Sequence, residues 1–261
     1  VYMLEVIILT SDDFGLAAHH LPFLLKSEKI RIKGVIVSKG VIINKKKYFK
    51  NKFAKIINIG FFGTLNGIRM RKWYSDDLLK LDPIQSLYSQ CLDNEIPYHV
   101  VNSTNSEETQ WLFKQAKASV GLSLGNGFIS KKIFSIPKFG MINIHHEQLP
   151  EYQNAQSVIW QLYNNSKETG YTIHKIDSKI DTGEIVYQEK IPIQFETTLG
   201  KTVTQTIIAL QKASALGLVK VLEDFDYYYS NAKPQGIGNH YTTPSFGKFV
   251  KIWSNYKKLK K

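Results

Sequence analysis

Leu4-Glu-Val-Ile-Ile-Leu-Thr10, the turn Ser11-Asp12-Asp13, a helical run from Phe14 to Leu25 and the second apolar run Ile32-Lys-Gly-Val-Ile-Val-Ser38 decide the fold. A near-continuous apolar run of this length is the pattern of a parallel strand buried on both faces. Ser11 and Asp12 are N-cap candidates for the helix that follows. Strand, turn, helix and strand in that order predict an α/β chain, a Rossmann-like doubly wound and mostly parallel sheet. No G-x-G-x-x-G joins the first strand to its helix, so a dinucleotide site is not expected.

Downstream the alternation continues. A helix is expected from Asp82-Pro83 to about Asn94, a short strand at His99–Val101, a helix over 108–117 and a strand from Ala118 to Leu124. The loop Gly125-Asn126-Gly127-Phe128-Ile129 then stands at a strand's carboxyl end, where open α/β sheets keep their ligands. A short helix is expected at Lys131–Ile136, a strand at Gly140–His145 and a helix over 156–165, with Trp160 read as core. Strands at 171–176 and 184–193 flank a turn at 177–183, and Thr197-Thr198 cap a helix to about Leu222. The expected organisation is a catalytic domain over 1–223, with a basic insertion at about 40–80, and a small extension over 224–261.

The extension changes character from Tyr227 onward. Pro234, Gly236, Gly238 and Pro244 argue against a regular helix, while tyrosines and Phe246 favour strands, so a β-rich appendage with a basic tail is expected. The insertion carries six lysines between Lys45 and Lys55, then an apolar stretch ending in Arg69, Arg71 and Lys72. Its spacing of Gly60, Gly63 and Gly67 weighs against one long helix. It reads as a solvated basic face over a packed helix, with an amphipathic pair resting on anionic lipid or nucleic acid as the alternative.

The chain has 261 residues, 43% hydrophobic and 21% charged, which fits a folded protein. A net charge of +12 suits anionic partners without choosing among them. The single cysteine, Cys91, excludes an internal disulfide or a thiolate zinc site and fits a reducing compartment. No secretory leader and no apolar run of spanning length stand out, so a cytoplasmic location is expected. Val1 and Tyr2 precede Met3 and stay outside the fold reasoning.

The chemistry concentrates in Met141-Ile-Asn-Ile-His-His-Glu-Gln-Leu-Pro-Glu-Tyr152 and Ile180-Asp-Thr-Gly183. In an extended segment residues i and i+2 share a face, so Asn143 and His145 project side by side. Asp181 is a carboxylate able to orient the imidazole and set its tautomer. An amide, an imidazole and a carboxylate form a kit for moving a proton while an oxyanion develops at a carbonyl carbon. His146 is a rival imidazole, but alternation sends it to the other face.

These residues, with Leu149-Pro150, Tyr152 and Glu168-Thr-Gly-Tyr-Thr172, resemble the 10-formyltetrahydrofolate-dependent formyltransferases over about Met3 to Glu223. That family carries N-x-H-P-S-L-L-P-x-Y-x-G, E-x-G-x-T and D-x-G-x-D-T-G. Here His146-Glu147 replace Pro-Ser, Gln148 replaces Leu, Asn154 stands where Gly is usual, and 177–181 lacks the middle Gly. The resemblance implies Asn143, His145 and Asp181 as catalytic residues. It places Gly125, Asn126, Gly127, Phe128, Ile129, Asp177 and Ile180 against the folate donor. Ser11, Asp12, Tyr152 and Gln153, with Tyr241 from the aromatic extension, are the acceptor candidates. No metal is implied. By layout the chain looks most like enzymes that formylate a nucleotide-linked amino sugar, with a dTDP-4-amino-4,6-dideoxyhexose favoured, in O-antigen or other surface-polysaccharide biosynthesis. A homodimer is carried over from those enzymes, and no nucleic-acid partner is expected. The alternatives are a methionyl-tRNA formyltransferase-like enzyme, prompted by the charge, and a non-catalytic binding module that kept the fold.

Overall fold

The computed structural model describes residues 3–40, 45–155 and 157–261. Its described residues build one seven-stranded sheet in the order β3-β2-β1-β4-β5-β6-β7. These strands are β1 (Leu4–Thr10), β2 (Ile30–Ser38), β3 (Tyr98–Val101), β4 (Val120–Ser123), β5 (Met141–His145), β6 (Glu168–Lys175) and β7 (Ile185–Pro192). The first five run parallel, and β6 and β7 are added antiparallel. The doubly wound, mostly parallel sheet expected from the sequence is therefore present. Val6, Ile8, Leu9 and Val120 are inaccessible to solvent, which explains why the runs at β1 and β4 show no polar alternation.

Helices cover both faces. α1 (Leu16–Leu24) follows β1 and begins two residues later than expected, because Asp12 Oδ1 accepts from Phe14 N and holds the turn open. α2 (Lys45–Tyr74) is broken at Gly60, whose φ of 74° and ψ of 169° lie outside helical space. This is the interruption foreshadowed by the glycine spacing, and residues 41–44 of the expected insertion lie outside the described residues. The helix expected at 82–94 forms as α4 (Leu87–Asp93), starting five residues late, and a separate short α3 (Asp76–Leu81) precedes it. Pro83 disfavours helical backbone at Asp82, and the Ser86 hydroxyl restarts the helix by accepting from Ser89 N. α5 (Glu107–Ala116), α6 (Lys131–Phe134) and α7 (Ile159–Tyr163) connect later strands. Residue 156, the expected start of α7, lies outside the described residues. α8 (Leu199–Glu223), capped by Thr198, lies against α1 and β6.

The expected β-rich extension is not what forms. α9 (Phe225–Ser230) and α10 (Phe246–Leu259) are helical, separated by an extended strap. Proline and glycine do exclude a helix between them, where only two isolated bridges occur, Gln153 with His240 and Ile185 with Lys233. Beyond Pro244, Ile252 and Tyr256 recur at helical spacing and are fully buried, and this periodicity outweighs the strand propensity of the aromatics. Phe225, Ile252 and Tyr256 join the same core as Met70, Trp73 and the strand residues.

Close approach of α8 to the sheet depends on Gly217, where a Cβ would collide with the Tyr171 hydroxyl. Gly217→Ala is expected to destabilise the fold by roughly 1–3 kcal/mol through forced repacking. Gly236→Ala, with no atom within 4 Å of its Cβ position, is expected to change stability by no more than about 0.5 kcal/mol. Urea unfolding of the two variants makes the comparison.

Candidate active site

The carboxyl ends of β4 and β5, the loop after β4 and the β6–β7 turn converge on one cavity of about 400 Å³. Its wall contains Asn143, His145 and Asp181, all of Gly125 to Ile129, and Asp177 and Ile180. The residues expected at the catalytic centre and against the donor are thus brought together.

Sheet register does the positioning. β5 pairs antiparallel with β6 so that Asn143 faces His174 and His145 faces Thr172. His174 donates from Nδ1 to the Lys175 carbonyl at 2.9 Å, which leaves Nε2 as the acceptor for Asn143 Nδ2 at 3.1 Å. Burial holds the His174 pKa below its ordinary value, so the ring stays neutral and keeps that lone pair. The second amide hydrogen of Asn143 is left for another acceptor. His145 donates from Nε2 to the Tyr152 carbonyl at 3.0 Å, which turns Nδ1 towards Asp181. Asp181 places one oxygen 3.9 Å from His145 Nδ1 and the other 3.8 Å from His174 Nε2. These separations exceed hydrogen-bond length, as is common before substrate draws a site together.

The β6–β7 turn aims that carboxylate inward. Asp181 has φ of 55°, a left-handed conformation that aspartate tolerates. Gly183 follows where a Cβ would overlap the Lys175 carbonyl. Asp177 Oδ1 accepts from Lys179 N at 2.9 Å and from the Thr182 hydroxyl at 2.8 Å, pinning the turn from inside. Asn154 has φ of 52° and donates its N–H to Asp181 Oδ2 at 3.3 Å. Asparagine in place of the usual glycine therefore keeps the backbone conformation. On the opposite wall, Asn105 donates to the Phe128 carbonyl and accepts from Ser130 N, clamping the loop after β4. Asn126 Nδ2 ties that loop to the Leu9 carbonyl at 2.5 Å.

A second cavity, of about 560 Å³, lies on the other side of β5. Asp12, Tyr74, Ser75, His146, Glu147 and Ser157 line it, and Ile144, His145 and Ala155 belong to both cavities. His145 therefore stands in their shared wall. Glu147 is almost fully buried, and burial pushes its carboxyl well above the usual carboxylate range. Oε2 accepts from Gln161 Nε2, while Oε1 has no partner.

The acceptor candidates divide. Asp12 lines this second cavity, whereas Ser11 donates to the Gly125 carbonyl and ties the first turn to the loop after β4. Tyr152, Gln153 and Tyr241 were expected at the acceptor and are placed behind the site instead. The Tyr152 and Tyr241 rings stack at 5.5 Å, and Trp160 packs 4.7 Å from Tyr241. Gln153 accepts from Tyr241 N and donates from its own N to the Asn239 carbonyl, so it buttons the strap down. The sequence reading missed His174. Its spacing two residues after Thr172 hinted at a shared strand face, but only the register sets it beside Asn143.

His146 points away from the catalytic ring, as alternation requires. Its Nε2 and that of His20 both meet the Ser214 hydroxyl at 3.0 Å, and His20 Nδ1 donates to the Leu16 carbonyl. In the neutral arrangement His146 donates to Ser214, whose one hydroxyl hydrogen is shared between His20 Nε2 at 3.0 Å and the Gln211 carbonyl at 3.2 Å.

A mostly parallel α/β sheet with an amide, two imidazoles and a carboxylate at its carboxyl edge defines the class, a group-transfer enzyme fold. A formyl transferase family model matches residues 89–221, just over half of the chain, and the chain belongs to that family. Similar sequences include the methionyl-tRNA formyltransferase of Idiomarina loihiensis, 28% identical over 149 residues that make up 57% of this chain and 46% of that protein. That of Pelotomaculum thermopropionicum is 40% identical over 95 residues, 36% of this chain and 29% of that protein. The chain thus spans less than half the length of these curated relatives. Among solved structures, glycinamide ribonucleotide transformylase 1 of Symbiobacterium toebii superposes with a TM-score of 0.58 at 11% identity, covering 90% of this chain and 95% of that one. An N-formyltransferase of Helicobacter canadensis, solved with folinic acid and dTDP-3-aminofucose, gives 0.57 at 17% identity over 97% of this chain and 80% of that one. These likenesses establish the fold.

Burial lowers the pKa of both His20 and His146 to about 3. The unfolded chain binds these protons near pH 6.5 and the folded chain does not, so the folded state is favoured above that pH and loses stability as pH falls towards about 3. Melting temperature is expected to drop progressively with acidification below about pH 6.5. His146→Gln is expected to give a shallower slope in the same titration, read by circular dichroism.

Proposed function

We propose that the protein transfers a formyl group from 10-formyltetrahydrofolate to the amine of a nucleotide-linked amino sugar. The observation that carries this reading is the position of His145 in the shared wall of two cavities. The cavity walled by Gly125–Ile129, Asp177 and Ile180 takes the folate donor. The cavity containing Asp12, Tyr74, His146 and Glu147 takes the acceptor. No group of three or more His, Cys, Asp or Glu able to hold a metal occurs among the described residues, and the reaction proposed here uses none.

The neutral amine of the acceptor attacks the formyl carbon, forming a new carbon–nitrogen bond as the carbonyl oxygen becomes an oxyanion. The free amide hydrogen of Asn143 stabilises that oxygen, its orientation fixed by the bond to neutral His174. His145 takes the proton from the attacking nitrogen and returns it to the leaving N10 as the old carbon–nitrogen bond breaks. Asp181 orients the ring and stabilises it while it carries the proton. The amine must arrive uncharged to attack the formyl carbon.

The acceptor class rests on layout. The Helicobacter enzyme named above accounts for nearly all of this chain, including the segment beyond α8. We favour a dTDP-4-amino-4,6-dideoxyhexose destined for surface polysaccharide such as O-antigen, with the protein acting in the cytoplasm. Formylation of initiator tRNA is the second reading, favoured by the methionyl-tRNA formyltransferase relatives and the charge of +12.

Incubation with 10-formyltetrahydrofolate and dTDP-linked 3-amino and 4-amino sugars is expected to add the mass of one formyl group to one of them. His145→Asn and Asn143→Ala are each expected to cut turnover by about a hundredfold or more. Formyl transfer to methionyl-tRNA, with steep salt dependence and no sugar product, would move the assignment to the second reading. No tetrahydrofolate release with any acceptor would leave a binding module.

Glu147 offers a separate test of the acceptor cavity. Glu147→Gln preserves a neutral, hydrogen-bonding side chain, whereas Glu147→Leu strands Gln161 without its acceptor. The leucine variant is expected to raise the acceptor KM by on the order of tenfold, leave the donor KM unchanged, and exceed the glutamine variant in effect. Equal changes in both KM values would place Glu147 outside the acceptor cavity.

A further inference from the structure

The outer surface of α2 has the polarity of a buried surface. After the break at Gly60, the protein-facing stripe is Gly63, Asn66, Gly67, Met70 and Trp73. Gly63 lies against the Ser245–Phe246 backbone and Gly67 against Thr243, where a Cβ would be 3.0 Å from its methyl group. Met70 and Trp73 are buried in the core. The opposite stripe, Phe61, Leu65 and Ile68 at helical spacing, faces solvent, and Phe61 is 71% exposed. Before the break, Phe53 and Ile57 lie one turn apart and are 66% and 65% exposed. The apolar face continues onto α10, because the Phe62 ring packs 5.5 Å from that of Phe246, and Val250 and Trp253 are half exposed beside it.

The charge on these elements has one sign. Residues 45–74 contain nine lysines and arginines with no acid, and residues 246–261 contain six lysines with no acid. Lys50 borders the apolar stripe before the break; after it, Arg69 and Arg71 border the stripe and Lys72 continues its line, all exposed. Between the two helices opens a cavity of about 680 Å³ whose wall includes Arg69, Trp253 and Lys257. No helix among the described residues is long and apolar enough to cross a membrane.

We infer that the face formed by α2 and α10 docks on an anionic lipid bilayer, with Phe53, Ile57, Phe61, Leu65 and Ile68 entering the headgroup boundary and the flanking cations meeting lipid phosphates. An exposed apolar stripe bordered by cations is the pattern of a helix lying in the interface plane. A ring such as Trp253, half exposed beside a lysine, suits that boundary. Nucleic acid would match the charge and leave the phenylalanine and isoleucine side chains in water. A second copy on the same face would cover the apolar stripe and bring two sets of cations together without a counter-charge. This inference concerns a surface separate from the two cavities and stands whichever acceptor they take.

The experiment is vesicle flotation of the full chain at about 0.1 M salt, where surface charge is only partly screened. Phosphatidylcholine vesicles are compared with vesicles containing about a third phosphatidylglycerol, enough to give the surface a strong negative potential. The protein is expected to float with the anionic vesicles and not with the neutral ones. The triple variant Phe61→Ser, Leu65→Ser and Ile68→Ser is expected to lose roughly tenfold or more in partitioning, with an unchanged far-ultraviolet spectrum and melting temperature, because those side chains make no core contact. Lys50→Glu with Lys72→Glu is expected to lower binding of the otherwise wild-type chain and to weaken its salt dependence. Failure of the wild-type chain to float with anionic vesicles would overturn the inference. So would equal flotation of the serine variant, a dimer in light scattering that the serine variant abolishes, or tight RNA binding that survives the serine changes while vesicle binding is absent. A folded, vesicle-binding chain with no formyl transfer would overturn the proposed function and leave this inference standing.

Discussion

The antiparallel pairing of β5 with β6 is the constraint on which the site depends. It sets Asn143 opposite His174 and His145 opposite Thr172. A slip of one residue would exchange Asn143 and His145 for Ile142 and Ile144 on the cavity side, because side chains alternate with period two. Buried isoleucines on the other side oppose that slip. Ile142, Ile144 and Ile173 are each 5% exposed or less, and moving them to an open cavity would cost apolar burial along the whole strand. The hydrophobic core thus enforces the placement of Asn143 and His145 on the cavity side. Thr172 extends the same control to the next loop, donating to the Glu147 carbonyl at 2.7 Å while accepting from Leu149 N at 3.1 Å.

The histidines around β5 are sorted by what surrounds them. His174 is walled in and neutral, which makes it a lone-pair acceptor that aligns an amide. His20 is buried and His146 half-buried at the edge of the second cavity; both are neutral, meet at Ser214, and connect β5 to α1 and α8. His145 alone of this group sits between two cavities with a carboxylate at ion-pair range. One strand therefore presents successive imidazoles to a reaction site and to a structural network, and strand alternation separates the two uses.

Much of this arrangement was legible in residue pattern. The apolar run at β1 predicted a strand buried on both faces, Asn143 and His145 announced themselves by i, i+2 spacing, and Gly125–Ile129 by its place after a strand. What escaped was whatever depends on pairing across distance. His174 acquires its role only through register, which periodicity leaves open. Tyr152, Gln153 and Tyr241 were acceptor candidates through the family resemblance and the aromatic extension, yet the strap needed rings to stack on and a backbone partner, and it used them. At α10 the abundance of aromatics concealed the four-residue spacing of Ile252 and Tyr256, so local propensity gave way to burial.

The insertion joins these threads, because α2 has work on two sides. Its inner stripe replaces large side chains with Gly63 and Gly67 so that the strap can lie close. That same strap reaches Gln153, whose amide in turn donates to the Asp181 carbonyl at 3.4 Å. At its far end Tyr74 donates to the Ser157 carbonyl and helps close the second cavity. A surface helix tied so directly to catalytic loops is not positioned by amphipathicity alone, since its most apolar stripe points outward. Burial of Met70 and Trp73 and the glycine contacts fix its rotation, and that rotation leaves Phe61, Leu65 and Ile68 in water. An orientation that exposes these side chains is held by the packing that completes the second cavity.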